Sequence, residues 1–201
     1  MSAISGIDIA LWDLKGKALG VPCYELLGGK VRDKARIYVN AKGNTTEDLV
    51  QAAYSLKSQG FNAIRYSIGH PQNEQGRCPE TFSAVVNRLE QTFAAIRQKV
   101  GWDMDVAVEC HRGLRPAEAI EAGRALEQYR PYFYEDPIPD NPSAMKNLIE
   151  QCRVPVATGE RFINPMEFDD LLEHTKVRYI RQDMCVAGGL TAGKKIAAQA
   201  E

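Results

Sequence analysis

The sequence predicts an α/β fold in which parallel strands are covered by helices on the outside. Two observations carry this expectation. Strand-like and helix-like patterns alternate through six consecutive units, with no hairpin signal between them. In addition, Glu109, Glu135, Glu160 and Asp183 stand at the C-terminal ends of four successive strand patterns, 26, 25 and 23 residues apart.

The first element is a helix, since Ile4, Ile7, Leu11 and Leu14 recur at helical spacing and the pattern stops at Gly20-Val21-Pro22. A turn-rich Leu27-Gly28-Gly29-Lys30 closes this leading segment, so residues 1–30 divide from a catalytic region over 31–201. The strands are expected at 35–40, 62–68, 105–109, 132–135, 154–158 and 177–182. The helices between and after them are expected at 45–56, with Thr45 as a cap, and at 81–100, 116–129, 142–151, 165–173 and 190–200.

Periodicity does not separate a closed barrel from an open doubly wound sheet, because both use right-handed helical crossovers. The motifs do. No GxGxxG or GxxxxGK[ST] follows any strand, so a nucleotide-binding sheet lacks its phosphate cradle. One carboxylate per strand, always at the same end, suits a barrel that focuses several anions near its axis. Alternation places Asp105, Ala107 and Glu109 on one face and Val106, Val108 and Cys110 on the other. Converging carboxylates repel one another unless a cation sits among them, and a hard divalent ion with oxygen ligands answers that need: Mg²⁺ first, with Mn²⁺ as the alternative.

Composition narrows the function classes. The 201 residues are 44% hydrophobic and 25% charged, which suits one domain with a sizeable core. Lys and Arg number 25 against 26 acids, and this balance gives no basic field to recruit nucleic acid or an anionic membrane. Small molecules are therefore the expected partners. The five cysteines are scattered without a CxxC pair, which disfavours a disulfide framework or structural zinc and fits a reducing cytoplasm. Cys110 and Cys185 are expected to be buried as small apolar side chains. No apolar run reaches membrane-spanning length.

The run Gly6-Ile7-Asp8-Ile9-Ala10-Leu11-Trp12-Asp13-Leu14, then Leu26-Leu27-Gly28-Gly29, Tyr134-Glu135-Asp136-Pro137, Thr158-Gly159-Glu160 and Asp183 with Gly188-Gly189 resembles the mandelate racemase branch of the enolase superfamily, especially its acid-sugar dehydratases. The resemblance implies a TIM-type (β/α) barrel. This chain would supply about six of its eight units, with the N-terminal capping domain and the last strands outside it. It implies Mg²⁺ held by Glu109, Glu135 and Glu160, the first of these standing where the family usually has Asp. His111 falls where the dehydratases place the histidine that helps hydroxide leave, and Asp183 falls where an acid orients a catalytic histidine one unit later.

The implied reaction is abstraction of a proton α to the carboxylate of a sugar acid, followed by loss of the β-hydroxyl to give a 2-keto-3-deoxy acid. Relatives carry Lys-x-Lys on the second strand, whereas here Arg65 and Ser67 stand there. Neither is a ready base, so a two-base racemase is disfavoured. Arg65 is expected to contact the substrate carboxylate, or else to pair with the barrel acids. Ser67, His70, Arg161 and Asn164 are further candidate substrate contacts, and His174 is expected to be structural. The alternatives are an epimerase, racemase or cycloisomerase of the same superfamily, or a truncated, non-catalytic fragment. The full-length form is expected to be a homo-oligomer, and six strands alone would leave sheet edges that favour self-association.

Overall fold

The computed structural model describes residues 1–68 and 80–201. It contains six parallel strands in the order β1-β2-β3-β4-β5-β6: β1 (Val39–Ala41), β2 (Ala63–Ser67), β3 (Asp105–Glu109), β4 (Tyr134–Glu135), β5 (Val156–Thr158) and β6 (Tyr179–Ile180). Among the described residues there are eight α-helices: α1 (Ser2–Leu19), α2 (Cys23–Leu26), α3 (Thr46–Ser58), α4 (Phe82–Val100), α5 (Pro116–Leu126), α6 (Pro142–Gln151), α7 (Pro165–His174) and α8 (Gly189–Ala200). None is long and apolar enough to cross a membrane.

The expected units are all present, and the differences lie at their ends. The first strand pairs only over 39–41 rather than 35–40, and the sixth over 179–180 rather than 177–182. Alternating apolar residues extend past the stretch that finds a ladder partner, and a pattern cannot show where pairing stops. Asp183 consequently lies three residues beyond β6 rather than ending it. The one-turn α2 fills the stretch between the end of α1 and the expected turn at 27–30. Helix starts follow local chemistry. Thr45 accepts from Asp48 N while Asp48 accepts from Thr45 N, a reciprocal box. Thr81 and Asn141 cap α4 and α6, and Pro116 and Pro142 occupy first-turn positions where no N–H is needed.

The chain forms two compact units. The first comprises Ile37–Ala157 with Thr175–Tyr179. Register pairs Arg65 with Ala107, Ser67 with Glu109, Glu109 with Glu135 and Glu135 with Ala157, so these side chains share one face of the sheet. The opposite face, with Ile64, Tyr66, Val106, Val108, Tyr134 and Val156, is buried under the helices. Tyr66 lies against Phe93 of α4, and the Tyr134 hydroxyl reaches Ala119 O of α5. On the first face Phe133 sits between the small Ala107 and Ala157. Tyr38, Tyr132 and Tyr179 pack around it edge-on or tilted, with centroids 5.0–5.9 Å from its own. At the N-terminal end of the strands, Arg97 is 6% exposed and donates to the carbonyls of Gly101, Met104, Tyr129 and Arg130, tying two loops together.

The second unit comprises Met1–Arg36, Thr158–His174 and Ile180–Glu201. Helix α1 packs on α8 through its polar side. Asp8 accepts from Thr191 N (3.0 Å) and Thr191 Oγ1 (2.5 Å), Ser5 Oγ accepts from Gly188 N, and Trp12 Nε1 donates to Thr191 Oγ1. Gly189 has φ 76°, and a Cβ there would stand 2.4 Å from Asp8 Oδ2, so the start of α8 needs glycine. The apolar stripe that betrays the helix in the sequence points outward, with Ile4, Ile7, Leu11 and Leu14 each 58–63% exposed.

Candidate metal and acid site

Within the first unit, β2, β3 and β4 bring three of the expected residues together. Glu109 and Glu135 are register partners on adjacent strands, and Arg65 on β2 binds both. Its Nη1 pairs with Glu135 Oε1, its Nη2 stands 3.4 Å from Glu109 Oε2, and its Nε donates to Asn40 Oδ1 at 3.0 Å. Glu135 is fully buried and Glu109 is 8% exposed. The guanidinium rests 5.8 Å above the Tyr38 ring, so the aromatic floor supports the ion pair from below. The ion pair expected as an alternative for Arg65 is therefore formed.

His111 follows β3 with its Nδ1 3.3 Å from Glu109 Oε1 and its side chain 55% exposed. Its backbone φ is 48°, and that of Arg112 is 62°. Ser67 is exposed at the end of β2. His70 lies outside the described residues. Cys110 is buried as expected, and desolvation raises its thiol pKa well above the ordinary range, so it is inert as a nucleophile. Cys185 contradicts its expectation: it is exposed in the turn before α8, where its N–H donates to Asp183 Oδ1. An apolar neighbourhood in sequence did not become burial, because that turn lies at the surface.

In the second unit, Gly159 follows β5 with φ 117°, and its missing Cβ makes room for the Phe168 ring. The turn it opens presents Glu160, which pairs with Arg181 at 3.2 Å. Glu160, Arg161, Arg181, Gln182, Asp183 and Met184 line a polar cavity of about 470 Å³. Asn164 does not face it as a free contact. Its Oδ1 accepts from Met166 N, and its N–H donates to Glu167 Oε2, so it starts α7. His174 ends α7, exposed, beside Asp170.

Sequence reasoning missed Asn40, Arg181 and the Arg112–Asp136 pair. Asn40 and Arg181 were legible only as polar residues near strand ends. Asp136 stood in a quoted motif but carried no role.

The donor set suits a hard divalent ion. Glu109 and Glu135 offer oxygen alone, side by side and nearly closed to solvent, and Arg65 sets one positive charge against two carboxylates.

An α/β protein with acids at the ends of parallel strands is the class that fold and site define. Residues 47–201 match the family described as enolase C-terminal domain-like, and residues 1–28 match the mandelate racemase/muconate lactonizing enzyme N-terminal domain. The chain belongs to this mandelate racemase/muconate lactonizing enzyme family of the enolase superfamily. It is 34% identical over 221 residues to a D-mannonate dehydratase of Sphingomonas sp. (strain SKA58), covering 100% of this chain and 55% of that protein. It is 37% identical over 202 residues to a D-galactonate dehydratase of Variovorax paradoxus (strain S110), covering 100% and 52%. Among solved structures, a mandelate racemase/muconate lactonizing enzyme from Jannaschia sp. CCS1 matches with TM-score 0.89 and 31% identity over 99% of this chain and 54% of that one. The 3,6-anhydro-D-galactonate cycloisomerase from Zobellia galactanivorans matches with TM-score 0.85 and 33% identity, over 99% and 53%. The chain spans about half the length of the curated relatives it matches.

Proposed function

We propose that the protein is a metal-dependent dehydratase of a sugar acid. The observation that carries this reading is the buried Glu109–Glu135 pair with His111 beside it, in a chain whose relatives bear dehydratase names. Glu109, Glu135 and Glu160 would hold Mg²⁺ or Mn²⁺, which when bound supplies Lewis-acid stabilisation to charge developing on the substrate carboxylate.

The remaining chemistry belongs to side chains. Arg65 offers a planar fork of donors and no acceptor, so it would orient a carboxylate and not serve as a base. His111, half in solvent next to Glu109, would donate a proton to the departing β-hydroxyl. Removal of the α proton by a base, a role given to none of these side chains, together with loss of water leaves an enol that tautomerises to a 2-keto-3-deoxy acid. Ser67 and Arg161 are polar groups at strand ends for substrate hydroxyls. Asn164 would contribute only by shaping the turn after Glu160, given its capping bonds. Asp183 would orient a catalytic group rather than react itself. Cytoplasmic location and homo-oligomerisation belong to the same proposal.

A second reading is a cycloisomerase, favoured by the 33% identity to the solved 3,6-anhydro-D-galactonate cycloisomerase. It would use the same carboxylates without His111 as the acid for hydroxide. The deciding experiment screens the protein and its His111→Asn variant against a library of sugar acids, following 2-keto-3-deoxy products and α-proton exchange in D₂O. The dehydratase reading expects a 2-keto-3-deoxy product from the parent protein, lost in the variant while proton exchange survives. A variant that dehydrates at the parental rate would remove His111 from the mechanism.

A further inference from the structure

We infer that Arg112 and Asp136 form a clamp that fixes where the His111 imidazole stands, which makes Arg112 a positioning residue; the role of His111 rests on the dehydratase reading, but the clamp does not. The backbone after β3 is strained. The turn from Cys110 to Gly113 is closed by Gly113 N donating to Cys110 O at 2.9 Å, and both central residues have positive φ, 48° at His111 and 62° at Arg112. Two consecutive positive φ values are the sign pattern of a type I′ turn, which favours Asn-Gly and penalises residues with a bulky Cβ substituent. His-Arg is a poor local sequence for it. Something outside the turn must hold it.

Asp136 does so twice. Its carbonyl accepts from Arg112 N at 2.6 Å, and its Oδ2 accepts from Arg112 Nη1 at 3.0 Å. Both side chains are withdrawn from water, Arg112 to 14% exposure and Asp136 to 1%, where a charge-assisted bond is least screened. Asp136 is itself at φ 40° and is pinned by its N–H to Ala157 O at 2.9 Å. Leu114 N adds a further bond to Pro137 O. The turn after β3 is thus stapled to the turn after β4 by backbone and side chain together. Strained residues of this kind persist only where their surroundings over-determine them. The residue so constrained is His111, two positions past Glu109 and one before the clamp, so the geometry of its imidazole depends on the bridge at 112.

The test uses nuclear magnetic resonance on the 201-residue chain without metal. Arg112→Ala should shift the His111 backbone carbons away from their positive-φ values and speed exchange of the residue-112 and Gly113 amides about tenfold or more, with the Val108 amide unchanged. Asp136→Asn, which keeps a side-chain acceptor and tolerates positive φ, should stay near the parent, whereas Asp136→Ala should behave like Arg112→Ala. Should Arg112→Ala fail to fold, Asp136→Asn against Arg112→Lys decides. Rescue by Asn and partial loss with Lys support the clamp, while equal behaviour of the two overturns it. Unchanged His111 shifts and Gly113 protection in Arg112→Ala also overturn it.

A second arm adds Mn²⁺ alone. The parent should show paramagnetic broadening at both the Cys110 amide and the His111 imidazole. In Arg112→Ala the imidazole broadening should weaken while that at the Cys110 amide remains, and equal imidazole broadening in both proteins would count against the positioning role. No broadening anywhere in the parent would refute the metal reading, and the metal-free exchange data would still decide the clamp.

Discussion

Replacing Arg65 by Met keeps the aliphatic stem over Tyr38 and removes the cation that Glu109 and Glu135 share. Removing one partner of a buried ion pair costs about 3–5 kcal/mol, because a charge remains buried without compensation. Glu135 is fully buried and Glu109 is 8% exposed, so the loss expected at pH 7 lies in that range. A divalent cation supplies the missing charge and, at a hundred times its Kd, should restore about 2.7 kcal/mol. Urea unfolding followed by circular dichroism at pH 7, with and without Mg²⁺, measures both quantities. A deficit below about 1 kcal/mol would refute the claim that these carboxylates depend on Arg65.

Arg97→Met should destabilise the chain by about 3 kcal/mol in the same unfolding assay, because four carbonyls lose a charged donor and the bond to Met104 is buried. Tyr66→Phe should be neutral or stabilising by about 1 kcal/mol, since the Tyr66 hydroxyl is buried with no hydrogen-bond partner among the described residues; a loss above that would reveal a partner. Asp8→Asn should weaken the α1–α8 contact. The bonds from Thr191 hold the Asp8 carboxyl below the usual range, so its contribution is present above the ordinary Asp pKa and fades as pH falls through the lowered folded value. Thermal unfolding between pH 2 and 6 should therefore separate parent from variant only at the upper end.

Much of the architecture was legible because its signals are local. A Thr followed three residues later by Asp, a Pro at a first helical turn and an acid closing an apolar strand each act within one or two turns of chain, and α3, α6 and β3 appear where those signals put them. The orientation of α1 was not legible. Its contact with α8 is made by Ser5, Asp8 and Trp12 finding Gly188 and Thr191 more than 170 residues away, which no local pattern announces. At the site, Glu109 and Glu135 announced themselves by period. The Arg112–Asp136 bridge did not, because nothing in a linear pattern says that two successive residues will adopt positive φ.

Phe133 between Ala107 and Ala157 has a consequence for how sequences of this kind can change. One large and two small side chains from adjacent segments form one buried cluster, and the space they fill is shared. Enlarging either alanine would push Phe133 towards Tyr38, whose ring sits under the Arg65 guanidinium. Substitutions at 107, 133 and 157 should therefore be tolerated as compensating sets that conserve volume and rejected singly. A combinatorial library of these three positions, sorted for folding, should return that anticorrelation without any selection on the acids above them.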